Sequence, residues 1–183
     1  KKGECGVWML NQLLQAEFNP AAPGKHERVR GDTTFREGDK VMQTRNNYQL
    51  QWQKAGVFGA EEGQGVFNGD IGFIVSIDPQ EHVMSVQFDD ERVAEYEGAD
   101  VADLELAYCI SVHKSQGSEF PVVVMPALGG PPMLLTRNLL YTAVTRAKQL
   151  VVLVGLRGTV SAMICNEREI GGCTGVAQRV RDL

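Results

Sequence analysis

Two uninterrupted apolar runs, Val122-Val123-Val124-Met125 and Leu150-Val151-Val152-Leu153-Val154, constrain this chain more than any other feature. A strand with one wet face alternates apolar and polar residues. A strand covered on both faces reads as continuously apolar, which is the pattern of a parallel sheet. Pro121 and Pro126 bracket the first run, and Gly155 closes the second. Between them, from Arg137 to Lys148, Leu140, Ala143, Val144 and Ala147 recur at helical spacing. Strand, helix, strand in that order predicts an α/β layer on a parallel sheet.

The middle of the chain follows a different grammar. From Val66 to Leu104, short strand-like stretches alternate with tight turns: Asn68-Gly69-Asp70, then Ile71 to Ile77, then Asp78-Pro79, then Val83-Met84-Ser85-Val86-Gln87-Phe88 with a period of two. About forty residues of this kind suit a small SH3-like barrel. Upstream, Val7, Leu10, Leu13, Leu14 and Phe18 predict a short amphipathic helix that ends at Asn19-Pro20. Lys40 to Arg45 reads as a strand that stops at Asn46-Asn47. Gln49 to Gly65 carries four glycines and little periodicity, which predicts a mobile loop. Leu106 to Ser115 suits a helix, and the tail from Gly158 to Leu183 has room for one or two more.

Charge divides the chain in the same places. Ala55 to Tyr108 holds 13 acids against the single base Arg92, a balance of −12; since the whole chain carries −5, the rest carries +7. An acidic block between basic flanks marks an inserted module, and only the flanks suit a phosphate backbone. Cys5, Cys109, Cys165 and Cys173 are scattered, as are the three histidines, so reduced thiols and no metal site are expected. No apolar run reaches the ~20 residues of a membrane helix, which places the chain inside the cell and off the membrane.

No GxxxxGK[ST] phosphate loop occurs anywhere, so a self-contained P-loop ATPase is excluded. Phe88-Asp89-Asp90-Glu91 is a poor magnesium-binding strand end, because the strand before it alternates rather than running apolar. Two segments carry chemistry. Val112-His113-Lys114-Ser115-Gln116-Gly117-Ser118-Glu119-Phe120 gathers phosphate donors and a carboxylate next to a strand; it also fits a plain polar turn. Leu140-Tyr141-Thr142-Ala143-Val144-Thr145-Arg146-Ala147-Lys148 sets an arginine before the second apolar strand. That guanidinium either rests as a surface charge or reaches a phosphate held by a neighbouring domain.

The first of these segments resembles motif V, and the second motif VI, of the RecD-like branch of superfamily 1 DNA helicases. Leu10-Asn11-Gln12-Leu13-Leu14-Gln15, Asn19-Pro20, and Phe35 to Gln43 with Asn46-Asn47-Tyr48 are similar to that family's second motor domain; Phe67 to Gly72 resembles the start of its inserted SH3-like barrel. The resemblance implies a RecA-like domain over residues 1–65 and 105–183, with the barrel at 66–104. It also implies a 5′ to 3′ ATP-dependent DNA helicase of bacterial, nucleoid-associated type that serves repair and recombination. Arg146 is then the arginine finger, and Gln116, Gly117 and Glu119 join it around ATP. Ser111, His113 and Lys114, with Asn46, Asn47 and Tyr48, meet single-stranded DNA. Motifs I, Ia, II and III are missing, which puts the first RecA-like domain and the Mg²⁺ ligands outside the chain and makes it a fragment, inactive alone. The acidic barrel face is left for a basic protein partner. The rival expectation is a non-catalytic scaffold or interaction module.

Overall fold

The computed structural model describes residues 5–56 and 59–167. They fall into two compact units divided between Gly117 and Ser118. The first opens with helix α1 (Val7–Phe18) and the hairpin β1 (Glu27–Arg30) and β2 (Thr33–Arg36). Seven further strands follow: β3 (Lys40–Gln43), β4 (Asn47–Gly56), β5 (Gly59–Val66), β6 (Ile71–Asp78), β7 (Val83–Phe88), β8 (Val93–Tyr96) and β9 (Leu104–Leu106). These seven make one antiparallel sheet in the order β5-β4-β8-β7-β6-β3-β9.

Period-two patterning builds its core. Met84, Val86 and Phe88 of β7 point inward with Ile74 and Ile77 of β6, Ala94 and Tyr96 of β8, and Leu104 and Leu106 of β9. Tyr96 is wholly buried, and its hydroxyl donates to the equally buried Gln43 Oε1 at 2.8 Å, so the polar tip does not go unpaired. Gly72 cannot carry a side chain, since a Cβ there would lie 2.4 Å from the Gln87 carbonyl oxygen on the paired strand.

The antiparallel sheet extends well upstream of Val66, where the barrel was expected to begin, and takes in β3, β4 and β5. Gln49 to Gly65 is not a loop. It forms most of the β4–β5 hairpin, with Trp52 opposite Gly63. The glycine that reads as flexibility is packing space, because a Cβ at Gly63 would sit 2.4 Å from the Trp52 ring. The helix expected over Leu106–Ser115 is absent as well. Leu106 pairs with Val41 in β9, and Ala107 N donates to the Lys40 carbonyl, which holds the backbone extended. Hydrogen-bonded turns begin only at Ser111, where Ser115 N reaches the Ser111 carbonyl.

Helix α1 forms where predicted, but its fully buried residues are polar, while Val7, Leu10 and Leu14 are only half-buried. Asn11, Gln15 and Asn19, spaced by four, are buried, whereas Leu13 and Phe18 are 58% and 70% exposed. Polar burial wins because each amide has a partner inside the unit, as described below.

The second unit is α/β. Strand β10 (Phe120–Ala127) pairs in parallel with β11 (Ala147–Gly155), and α2 (Arg137–Val144) lies between them in sequence. Helix α3 (Arg157–Cys165) follows; the rest of the expected C-terminal helical stretch, with Cys173, lies outside the described residues. Thr136 caps α2 by accepting from Leu139 N at 3.2 Å. Gly155 is required at the end of β11: its φ is +153°, and a Cβ would meet the Ala127 carbonyl oxygen at 2.2 Å. The two apolar runs thus form the parallel pair expected of them, yet Val124 remains 63% and Leu150 53% exposed. Two strands and two helices do not cover both faces of this sheet.

Candidate nucleotide and DNA-contact site

In the second unit, Arg146 sits in the turn between α2 and β11. Its Nη1 donates to the Ser118 carbonyl at 3.2 Å and its Nη2 lies 3.4 Å from Thr145 Oγ1. Phe120 N donates to the Arg146 carbonyl at 2.8 Å, which ties the start of β10 to the same turn. The guanidinium is therefore held from both sides, but Nε is buried without a hydrogen-bond partner. An unpaired buried donor is costly; the spare hydrogen-bonding capacity lies on Nη1 and Nη2, each of which makes one bond and carries two N–H groups. Glu119 does not stand free nearby: Lys148 Nζ lies 3.1 Å from its carboxylate, both side chains being largely exposed.

Gln116 and Gly117 belong to the first unit and are exposed; Gly117 takes the left-handed conformation, φ +87°. The same segment carries Ser111, His113 and Lys114. Ser111 Oγ faces Lys114 N at 3.4 Å, His113 is exposed, and Lys114 Nζ pairs with Glu105 at 2.8 Å. An exposed pair of this kind contributes about 0–1 kcal/mol, so a phosphate can displace Glu105 at small cost.

Asn46, Asn47 and Tyr48 separate into two roles. Asn47 is committed to the fold: its amide donates to Asp100 Oδ1 at 3.0 Å, and its side-chain oxygen accepts from Gln49 N and Leu50 N. Asn46 instead braces an exposed aromatic pair. Its amide donates to the Tyr48 hydroxyl at 3.2 Å and its oxygen accepts from Asn68 N at 2.9 Å. Tyr48 meets Phe67 edge-on at 5.8 Å. Phe67 entered the sequence reading only as the start of the barrel, not as the partner of Tyr48.

The largest omission from the sequence reading is Asp39. This carboxylate is completely buried and accepts four hydrogen bonds: from Asn19 Nδ2 at 2.6 Å, Gln15 Nε2 at 2.6 Å, the Tyr108 hydroxyl at 3.0 Å and Arg36 N at 2.7 Å. Burial and the adjacent Asp39 charge push the Tyr108 hydroxyl up to about 12. Burial also raises the Cys109 thiol.

Among the described residues, no three His, Cys, Asp or Glu side chains come together as a metal site. No helix in the described residues is long and apolar enough to cross a membrane.

Residues 10–88 match the family profile of the ATP-dependent RecD-like DNA helicase SH3 domain, and residues 106–154 match that of the UvrD-like helicase C-terminal domain. Over 181 residues, 99% of this chain, it is 32% identical to an ATP-dependent RecD2 DNA helicase of Deinococcus radiodurans. The chain is a RecD-like helicase segment. It is also 32% identical over 144 residues, 79% of its length, to the RecBCD enzyme subunit RecD of Mycolicibacterium smegmatis. An uncharacterised protein of Methanocaldococcus jannaschii matches 81% of it, again at 32%. The RecD-like segment spans 22%, 22% and 13% of these three relatives, about a fifth or less of each. The SH3 profile lies in the antiparallel unit, and the helicase C-terminal profile spans both the Ser111–Gly117 turns and Arg146.

Proposed function

We propose that this segment belongs to an ATP-dependent 5′ to 3′ DNA helicase and supplies one side of its ATP site together with part of its single-strand track. The carrying observation is Arg146, whose guanidinium is fixed at Ser118 and Thr145 by one bond each from Nη1 and Nη2, leaving each with an N–H to offer. Preorganised donors that meet charge only as it develops are what phosphoryl transfer uses. In this reading the P-loop and Mg²⁺ ligands come from a first RecA-like domain outside the chain, and Arg146 reaches the γ-phosphate across the cleft. Gln116 and Gly117 are ATP contacts by the motif V resemblance alone, and Glu119 exchanges Lys148 for a ribose hydroxyl.

The uncovered apolar faces of β10 and β11 support a RecA-like sheet completed by further strands and helices, since a two-stranded sheet is marginal by itself. The antiparallel module is then an insert on that motor domain, extending back to Lys40 rather than to Val66. DNA follows Ser111, His113 and Lys114 and touches the module at the Asn46–Tyr48 corner. Glu95 and Glu97, which make no ion pair among the described residues, remain for solvent or a basic protein partner.

The test is steady-state ATP hydrolysis by the full-length protein with Arg146→Ala. Arginine fingers contribute about 10³ to 10⁵ in rate, and a loss of that order is expected. Hydrolysis at the wild-type rate would make Arg146 a structural residue and the motor reading untenable.

A further inference from the structure

Helix α1 does nothing in the proposed chemistry, yet Asn11 and Gln15, with Asn19 at its C-cap, are buried, and their amides lead to the start of the segment carrying Ser111, His113 and Lys114: Asn11 directly, Gln15 and Asn19 through Asp39. Asn11 grips Cys109 in both directions: its Nδ2 donates to the Cys109 carbonyl at 2.7 Å and its Oδ1 accepts from Cys109 N at 2.9 Å. One turn on, Gln15 reaches Asp39; one turn further, Asn19 reaches Asp39 too. Asp39 completes the circuit by accepting the Tyr108 hydroxyl at 3.0 Å. The Tyr108 ring also stacks on Phe18 at 6.5 Å between centroids. Tyr108 and Cys109 are thus held by side-chain bonds from α1 and Asp39, immediately before the turns that begin at Ser111.

A side chain bonded to both polar groups of one residue fixes that residue's position along the chain as a strand partner would. A slip by one residue would leave a buried amide and a buried peptide unpaired, at the cost that makes such groups almost always satisfied. The carboxylate adds a second constraint of higher stakes, because a buried ion with one of its four donors removed is poorly compensated.

We propose that Asn11 and the Asp39–Tyr108 pair are positioning residues for DNA engagement: they set the register of the Ser111–Lys114 segment, so that α1 governs how tightly this motor holds single-stranded DNA. This rests on the reading that Ser111, His113 and Lys114 meet DNA. Neither Asn11 nor Tyr108 touches DNA in the proposal. Tyr108→Phe removes only the hydroxyl and keeps the stack on Phe18, which makes it the milder change; Asn11→Ala is the stronger one and is used if it folds.

The experiment uses the full-length helicase and oligothymidylate as the probe. It compares wild type, Tyr108→Phe, Asn11→Ala and Lys114→Ala in DNA-stimulated ATPase, in salt dependence of binding, and in backbone amide exchange over residues 109–117. Tyr108→Phe is expected to raise the DNA concentration for half-maximal stimulation about three- to tenfold. The maximal rate and the slope of affinity against salt should not change, because no phosphate contact is lost. Amide exchange over 109–117 should accelerate. Lys114→Ala should lower the salt slope by about one. A folded Tyr108→Phe protein with unchanged half-maximal DNA concentration would overturn the proposal, as would a loss confined to the maximal rate, which indicates a stability role alone. If Lys114→Ala leaves the slope intact while exchange over 109–117 still accelerates in Tyr108→Phe, the DNA reading has failed and the positioning role in binding falls with it. If the Lys114 slope changes and exchange does not, the register mechanism alone is refuted.

Discussion

The antiparallel unit and the parallel unit meet water in opposite ways. In the first, β7 alternates, its inward residues Met84, Val86 and Phe88 are buried, and the core closes within the unit. In the second, β10 and the Leu150–Val154 run of β11 are continuously apolar, and much of that apolar surface is uncovered. The difference teaches that patterning reports the environment a strand was selected for rather than the one a segment supplies by itself. An alternating strand needs one covering layer and has it here, whereas a continuous one needs two, and these residues provide only part of them.

A pair of truncations sharpens this comparison most strongly. Met84→Ala should destabilise the chain by about 2–5 kcal/mol, the range for emptying a packed site. Val124→Ala, at 63% exposure, should fall within about 0.5 kcal/mol in this chain. In the full-length protein the Val124 cost should rise above 1 kcal/mol. Denaturant unfolding of both proteins reads this directly, and an equally small Val124 effect in the longer protein would break the claim that the sheet is completed elsewhere.

The charge contrast offers a smaller effect. Replacing Glu95 and Glu97 by glutamine should leave the salt slope of DNA binding unchanged, whereas Lys114→Ala should flatten it by about one unit. Binding titrations across a salt series check both. A slope that responds to the barrel carboxylates and not to Lys114 would place the DNA path on the wrong unit.

How much of this was legible in sequence follows the same division. The parallel pair, α2 and β7 were readable, because each is decided by local periodicity. The β4–β5 hairpin was not, since Gly63 looks like a loop residue until Trp52 is known to lie opposite it. Arg146 was picked out by its surrounding words, but the bond that fixes its guanidinium comes from Ser118, 28 residues away. Asp39 was missed because its partners Gln15, Asn19 and Tyr108 lie 24, 20 and 69 residues from it, and no local pattern records such convergence. The bonds that hold Asn47 were not legible for the opposite reason: amides favoured at DNA contacts are equally favoured at turns, and here Asp100 and the β4 backbone engage it.

Two titrations give the smallest effects. The Tyr108 hydroxyl is pushed up to about 12 in the fold, above its ordinary value near 10. Its contribution is fully present below pH 10 and is lost as pH rises toward 12, so Tyr108→Phe should flatten alkaline destabilisation in that window. Glu37 is held below the usual carboxylate range, chiefly by the Ile77 N–H and then by His26. That stabilisation is present above the unfolded value and is lost as pH falls through the folded one. Glu37→Gln should therefore weaken the acid dependence of stability below about pH 4.5, a change visible in thermal melts across an acid series.

The central claim is that Arg146 serves the transition state rather than the ground state. The most direct measurement is the affinity of the full-length protein for ADP and for ADP with aluminium fluoride, a mimic of the transferring phosphoryl group, in wild type and in Arg146→Ala. The account predicts that ADP binds both proteins within about threefold, while the mimic loses about a hundredfold or more in the variant. Equal retention of the mimic and of ADP would contradict it.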